Sequence, residues 1–220
     1  MENLTQKSLM LITILCIAMC FGCIKKDTTE PVITIKGDNP YNQQLNSAFY
    51  DPGATASDNK DGDLSSQINT NSSVNFNVRG TYFVNYSVED AAGNSNNAAR
   101  RVNVVNEVEN LEGTYSVTDS CNGSFYANYQ QTITADSYKN KRIVFSKFAN
   151  FYNNTQIYAD IVDDDIYIPN QLAFNIGVQL ETHIFEGQGK ITSTGMIINY
   201  KERLSNAQTW NNCVTHLVKQ

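Results

Sequence analysis

The chain has 220 residues, with 22 acidic against 16 basic side chains and a formal net charge of −6. An acidic chain without a basic patch argues against nucleic acid as a partner. It is rich in Asn, Tyr, Thr, Ser and Val and poor in the Ala/Leu/Glu mixture of helical proteins, which favours strands, and its length allows two small domains or one of moderate size.

Leu9 to Gly22 is an uncharged apolar run preceded by one cation, Lys7. A short apolar core behind a small basic head is the pattern of a secretion signal, and the run is shorter than the roughly 20 residues a membrane-spanning helix needs. Gly22, small and directly before Cys23, suits a signal-peptidase pocket. Phe21-Gly22-Cys23 resembles the lipobox of bacterial lipoproteins, with Cys20 atypical at the usual leucine position. The resemblance implies removal of residues 1–22 and acylation of Cys23, hence a membrane as partner. Cys20 is a poorer acceptor because Met19 fits badly before it. An ordinary cleaved signal or an uncleaved anchor is the alternative. Two or more acyl chains give the stable anchoring that one chain does not. Residues 23–30, with Lys25, Lys26, Asp27 and Glu30, read as a solvated tether. Lys-rich, acid-containing tethers of this kind resemble the export signals of Bacteroidetes surface lipoproteins, so the expected location is the outer membrane, on its cell-surface or periplasmic face.

Removal of residues 1–22 takes away Glu2 and Lys7 together, so the mature charge stays at −6. Of the five cysteines, Cys16 and Cys20 leave with the signal and Cys23 carries lipid, which leaves Cys121 and Cys213. In an oxidising compartment an isolated pair is most simply a disulfide, and two free buried thiols are the other reading. The bridge would make most of the second half one folding unit.

From Pro31 to Val105 the pattern is strands and turns. Val32–Ile35, Ser73–Val78, Tyr82–Val88 and Arg101–Val105 are the expected strands, and Ala91-Ala92-Gly93-Asn94 is the turn of a hairpin. Tyr82 stands two residues before the core position Val84, as in a tyrosine corner. Phe49-Tyr50-Asp51-Pro52-Gly53, Asp61-Gly62-Asp63-Leu64, Arg79-Gly80-Thr81-Tyr82 and Val88-Glu89-Asp90-Ala91-Ala92-Gly93-Asn94 resemble a bacterial immunoglobulin-like domain found in some insecticidal crystal proteins and many surface proteins. The resemblance covers residues 31–106 and implies a β-sandwich that serves as spacer or adhesion module without catalytic residues. Asp58, Asp61 and Asp63 crowd carboxylates as a calcium loop would, yet Lys60 and Asn69 occupy positions where an EF-hand needs oxygen donors and a glutamate. The plainer role for the three aspartates is capping backbone N–H groups in turns, so no metal is expected.

Residues 107–220 carry eight or nine further short strands, including Gly113–Thr118, Gln131–Thr134, Arg142–Phe145, Ile157–Ile161, Asp165–Pro169, Phe174–Val178, Ile184–Ile191, Met196–Glu202 and Cys213–Val218. Consecutive short strands suggest an up-and-down meander closed into a barrel, in which the first and last strands pair and Cys121 can reach Cys213. Leu111-Glu112-Gly113-Thr114-Tyr115, Gly187-Gln188-Gly189-Lys190-Ile191 and Ile197 to Glu202 resemble the small lipocalin-like domains of Bacteroidetes lipoproteins, which implies a barrel with a mouth. The expected fold is therefore all-β: an Ig-like sandwich followed by an antiparallel meander barrel.

Catalytic signals are missing. His183 and His216 have no Cys or His at metal spacing, there is no Gly-x-Ser-x-Gly elbow or phosphate loop, and Asp163-Asp164-Asp165 reads as a solvated turn. No enzyme activity and no cofactor are expected. Phe125-Tyr126-Ala127-Asn128-Tyr129 and Phe148 to Asn154 mix aromatic rings with amides, a combination that grips sugars, although plugging the barrel ends is their plainer role. Tyr126, Tyr129, Phe151 and Tyr152 are the candidate ligand-binding residues. The sequence points to a non-catalytic envelope lipoprotein that binds a glycan or small ligand. The alternative is a structural or protein-interaction module that contacts another envelope protein.

Overall fold

The computed structural model describes residues 26–150, 157–176 and 180–220; Cys23, Phe151 and Tyr152 lie outside them. Fifteen strands account for nearly all of the regular structure.

The N-terminal strands form two sheets. One holds β1 (Val32–Ile35), β3 (Ala54–Asp58) and β4 (Gly62–Asp63). The other runs β2 (Tyr41–Gln44), β7 (Ser95–Val105), β6 (Gly80–Glu89) and β5 (Asn69–Ser72), with β2 parallel to β7. Alternation along β6 sends Val84, Tyr86 and Val88 inward, and β7 adds Val102 and Val104. The expected strand at Ser73–Val78 is instead a turn. Its Asn75 side chain accepts the N–H of Asn77, and Ser72 Oγ accepts that of Val74, so polar side chains satisfy the backbone locally and compete with a ladder. The Tyr82 hydroxyl donates to the Val78 carbonyl at 2.8 Å and forms the expected corner. Tyr115 repeats the device with the Leu111 carbonyl, also at 2.8 Å, after a second Gly-Thr-Tyr run.

Contacts divide the chain into two compact units. One contains the described residues up to Gly37, Pro52–Asn71 and Asn85–Ala99; the other contains, among the described residues, Asp38–Asp51, Ser72–Val84 and Arg100–Gln220. Within the second unit Arg100 is fully buried and pairs with Asp51 at 3.0 Å, while its Nη1 donates to the Asp38 carbonyl. In the same unit Arg79 forks onto Glu112 at 2.7 and 3.1 Å, and its Nε meets Glu109 at 2.8 Å. The Arg79 guanidinium, the nearest hydrogen-bond donor, holds the Glu112 carboxyl below the usual carboxylate range.

The remaining strands close an eight-stranded antiparallel barrel: β8 (Gly113–Cys121), β9 (Ser124–Ala135), β10 (Arg142–Phe145), β11 (Ile157–Val162), β12 (Asp165–Ile176), β13 (Leu180–Thr192), β14 (Gly195–Leu204) and β15 (Asn211–Lys219). Each strand pairs with its sequence neighbour, and β15 closes on β8. The strand expected at Asp165–Pro169 and the described part of the one expected at Phe174–Val178 are one strand, β12, with a register shift between Ile168 and Gln171. Pro169 cannot donate to a ladder, and a bulge absorbs it without ending the strand. Cys121 and Cys213 face each other in register across β8 and β15 and are disulfide-bonded.

Inward positions fill the barrel with Tyr115, Val117, Ile133, Ile143, Phe145, Ile166, Ile168, Phe185, Met196, Ile198 and Leu217. Phe148 enters from the turn after β10 and packs at ring distances of 5.1, 5.7 and 4.9 Å on Phe145, Phe185 and Tyr200. A Cβ on Gly187 would stand 2.7 Å from the Asn199 carbonyl, so glycine allows β13 and β14 to approach closely.

Candidate functional site

Two polar regions of the barrel could do chemistry or binding. The first is inside. Asp119 is fully buried on β8, on the same face as Tyr115 and Val117. Its Oδ2 accepts the Tyr200 hydroxyl at 2.9 Å and lies 3.5 Å from that of Tyr129, whereas its Oδ1 has no hydrogen-bond partner among the described residues. Burial pushes its carboxyl up to about 6, and the nearby charge of Glu202 adds to the rise. Burial likewise raises the Tyr129 and Tyr200 phenols, with Asp119 contributing in each case. His183 Nδ1 and Glu202 Oε1 meet at 3.0 Å in the same interior. An acid, two phenols and a histidine–carboxylate pair could move protons, but Phe148, Phe185 and Tyr200 pack against one another beside them, and Asp119, His183, Glu202 and Tyr200 are all buried.

The second region is outside. The outward side chains of β12, β13, β14 and β15 line a groove of about 590 Å³. Register sets its rows: Tyr167 opposes Gln188, which opposes Asn199, which opposes Val214; Glu186 opposes Lys201, which opposes Asn212. The bulge in β12 brings Asn170 to Glu186, where its amide donates at 3.2 Å. Tyr167 is 56% exposed although Ile166 and Ile168 on either side are buried. An exposed ring in a recess with four amides, one carboxylate and one ammonium can stack on an apolar ligand face while it bonds hydroxyls.

Of the expected binding residues, the two that are described, Tyr126 and Tyr129, lie elsewhere. Tyr126 is 52% exposed near the β8–β9 turn, beside exposed Phe125. Tyr129 turns its hydroxyl into the barrel toward Asp119, with Lys147 Nζ 5.3 Å over its ring. Neither lines the groove. The groove residues escape sequence reasoning because they are single polar positions on four strands that only register aligns. Asp119 carried a signal: it falls on the inward parity of Tyr115 and Val117.

The three aspartates of the calcium-like loop cap turns. Asp58 Oδ1 accepts the N–H groups of Lys60 at 2.7 Å and Asp61 at 3.0 Å; Asp61 accepts that of Ala91 at 2.9 Å, and Asp63 that of Ser65 at 2.9 Å. The Lys60 and Asp61 N–H groups hold Asp58 below its ordinary range, and the Ser65 hydroxyl does the same for Asp63.

Residues 33–104 match the family model described as bacterial surface protein, Ig-like domain. An envelope location goes with that description. No curated protein matches the chain. Among solved structures the chain is similar to a lipoprotein from Bacteroides thetaiotaomicron, at 17% identity and a TM-score of 0.34, over 86% of this chain and 100% of that one. A candidate outer membrane protein from Bacteroides fragilis is similar at 10% identity and a TM-score of 0.36, over 86% and 94%. CBM51-2 in complex with GlcNAc and INT domains from Clostridium perfringens ZmpB is similar at 16% identity and a TM-score of 0.30, over 86% of this chain and 43% of that one.

Proposed function

We propose that this chain, which carries a bacterial surface Ig-like domain at residues 33–104, is a non-catalytic, lipid-anchored envelope protein that binds a glycan in the outer groove of its barrel. Cys23 carries the lipid, the tether and Ig-like domain act as spacer, and the barrel makes the contact. The carrying observation is Tyr167, an exposed ring in a polar groove of about 590 Å³, flanked by Asn170, Gln188, Asn199 and Asn212. A pyranose offers an apolar C–H face and a rim of hydroxyls. Tyr167 matches the face, and the amides match the rim because each presents both donors and an acceptor. The residues project from paired strands, so the site is preformed and little ordering entropy opposes binding.

A glycan array probed with the full chain in detergent, followed by calorimetry on the strongest hit, tests the reading. Tyr167→Ala is expected to weaken binding at least tenfold while Tyr126→Ala leaves it unchanged. The opposite pattern moves the site to the β8–β9 turn, and an array without hits overturns glycan binding in favour of a structural role. Labelling with radioactive palmitate that persists in Cys23→Ala would remove the anchor from the proposal.

A further inference from the structure

We propose that Asp27, Asp58 and Asp90 form a binding site for a hard divalent cation, calcium by its chemistry, within the Ig-like half of the chain. The three residues come from separate segments: the stretch before β1, the end of β3 and the residue after β6. One carboxylate oxygen from each lies within 4.8 Å of the others. Asp61 and Asp63, which the sequence grouped with Asp58, are not among them.

The oxygens themselves point to a ligand. Asp27 is 9% exposed and Asp90 is 6% exposed. Asp27 Oδ1 accepts the Thr29 N–H at 3.1 Å, but its Oδ2 is covered and accepts no hydrogen bond among the described residues. Asp58 Oδ2 is covered and unbonded in the same way. A carboxylate oxygen removed from water without a donor is costly, and two such oxygens beside a third carboxylate compound the cost by repulsion. Lys60 Nζ stands 3.5 Å from Asp27 Oδ2, yet that arm is 49% exposed and sets one charge against three. A divalent cation answers all three carboxylates at once.

The donor set selects the metal. It contains only carboxylate oxygens, with no imidazole or thiolate, and such sets suit calcium or magnesium over zinc or copper. Calcium tolerates an irregular shell that water completes, whereas magnesium demands near-octahedral geometry. Neighbouring donors already fix the Asp90 carboxylate in place. Its Oδ1 accepts the N–H groups of Ala92 at 2.9 Å and Asn94 at 2.8 Å, and its Oδ2 accepts the Asn94 amide at 2.7 Å. Carboxylates that ligate metals are commonly held by such bonds. Asp27 stands four positions after Cys23. A bound cation would therefore clip the start of the tether onto the domain and set where the chain leaves the membrane.

Calorimetric titration of calcium chloride into the chelator-treated full chain in detergent tests the site. One site is expected, with a dissociation constant on the order of 0.1–1 mM, the range of extracellular calcium modules. Asp27→Asn and Asp58→Asn should each weaken it at least tenfold, and Asp163→Asn, in the turn between β11 and β12, should not. Circular dichroism checks that the variants fold. Should Asp58→Asn misfold, Asp27→Asn near the chain start decides alone. No saturable binding up to roughly 10 mM, binding that Asp27→Asn retains in full, or magnesium bound as tightly as calcium would each overturn the assignment.

Discussion

The Tyr200 hydroxyl donates to Asp119 Oδ2 at 2.9 Å across the interior of the barrel, and both residues are buried. Tyrosine is a donor here because burial keeps its phenol protonated, and Asp119 itself is held as a weak acid at about 6. The folded barrel keeps a proton on Asp119 to a higher pH than the unfolded chain, whose value is near 3.8. Asp119 therefore contributes most stability below pH 4, and that contribution falls as pH rises to about 6 and then stays level. About two pH units of displacement correspond to roughly 3 kcal/mol. Asp119→Asn keeps an acceptor for Tyr200 and removes the charge. The variant should melt higher than the parent at pH 7.5 and equally at pH 4. Parallel melting curves at the two pH values check this, and a pH-independent difference would count against it.

Arg100 and Asp51 form an ion pair within the second unit, with Arg100 fully buried. Arg100→Ala leaves Asp51 and the Asp38 carbonyl without their cation, at an expected cost of about 3–5 kcal/mol. Urea unfolding should show it, and Asp51→Ala in the Arg100→Ala background should cost far less than in the parent.

The bond between Cys121 and Cys213 closes a loop with a sequence separation of 92. Cys121→Ser with Cys213→Ser should lower barrel stability by about 4–5 kcal/mol in the chain-entropy account. Denatured, unreduced mature protein should show no reactive thiol. Two thiols per chain would contradict the pairing.

Gly187 faces into the barrel where β13 and β14 run close, and a methyl group would meet Asn199 O at 2.7 Å and Tyr200 Cβ at 2.8 Å. Backbone must move to admit it. Gly187→Ala should cost about 1–3 kcal/mol in thermal unfolding, and a neutral result would show that the two strands can separate without loss.

The barrel was largely legible because a meander is local. Alternation in Tyr115-Ser116-Val117 or Ile198-Asn199-Tyr200 reports an inward face, and each strand needs only the next to pair. The pairing of Cys121 with Cys213 followed from the cysteine count, and closure of the meander makes it reachable. Asn75 and Ser72 misled the reading of Ser73–Val78, because alternation looks the same when small polar side chains fold back on their own backbone. Pro169 divided β12 on paper where a bulge keeps it whole. The outer groove depends on register between strands up to three places apart in order, and the meeting of Asp27, Asp58 and Asp90 depends on three segments far apart in sequence. Neither leaves a local pattern.

The join between the first and last barrel strands has a consequence for proteolysis. A protease that cuts any single peptide bond between Cys121 and Cys213 leaves both fragments held by the sulfur bridge and by the hydrogen-bonded ladders on either side of the cut. Such a nicked chain keeps its mass until it is reduced. The barrel can be scarred in its loops and still remain one covalent molecule.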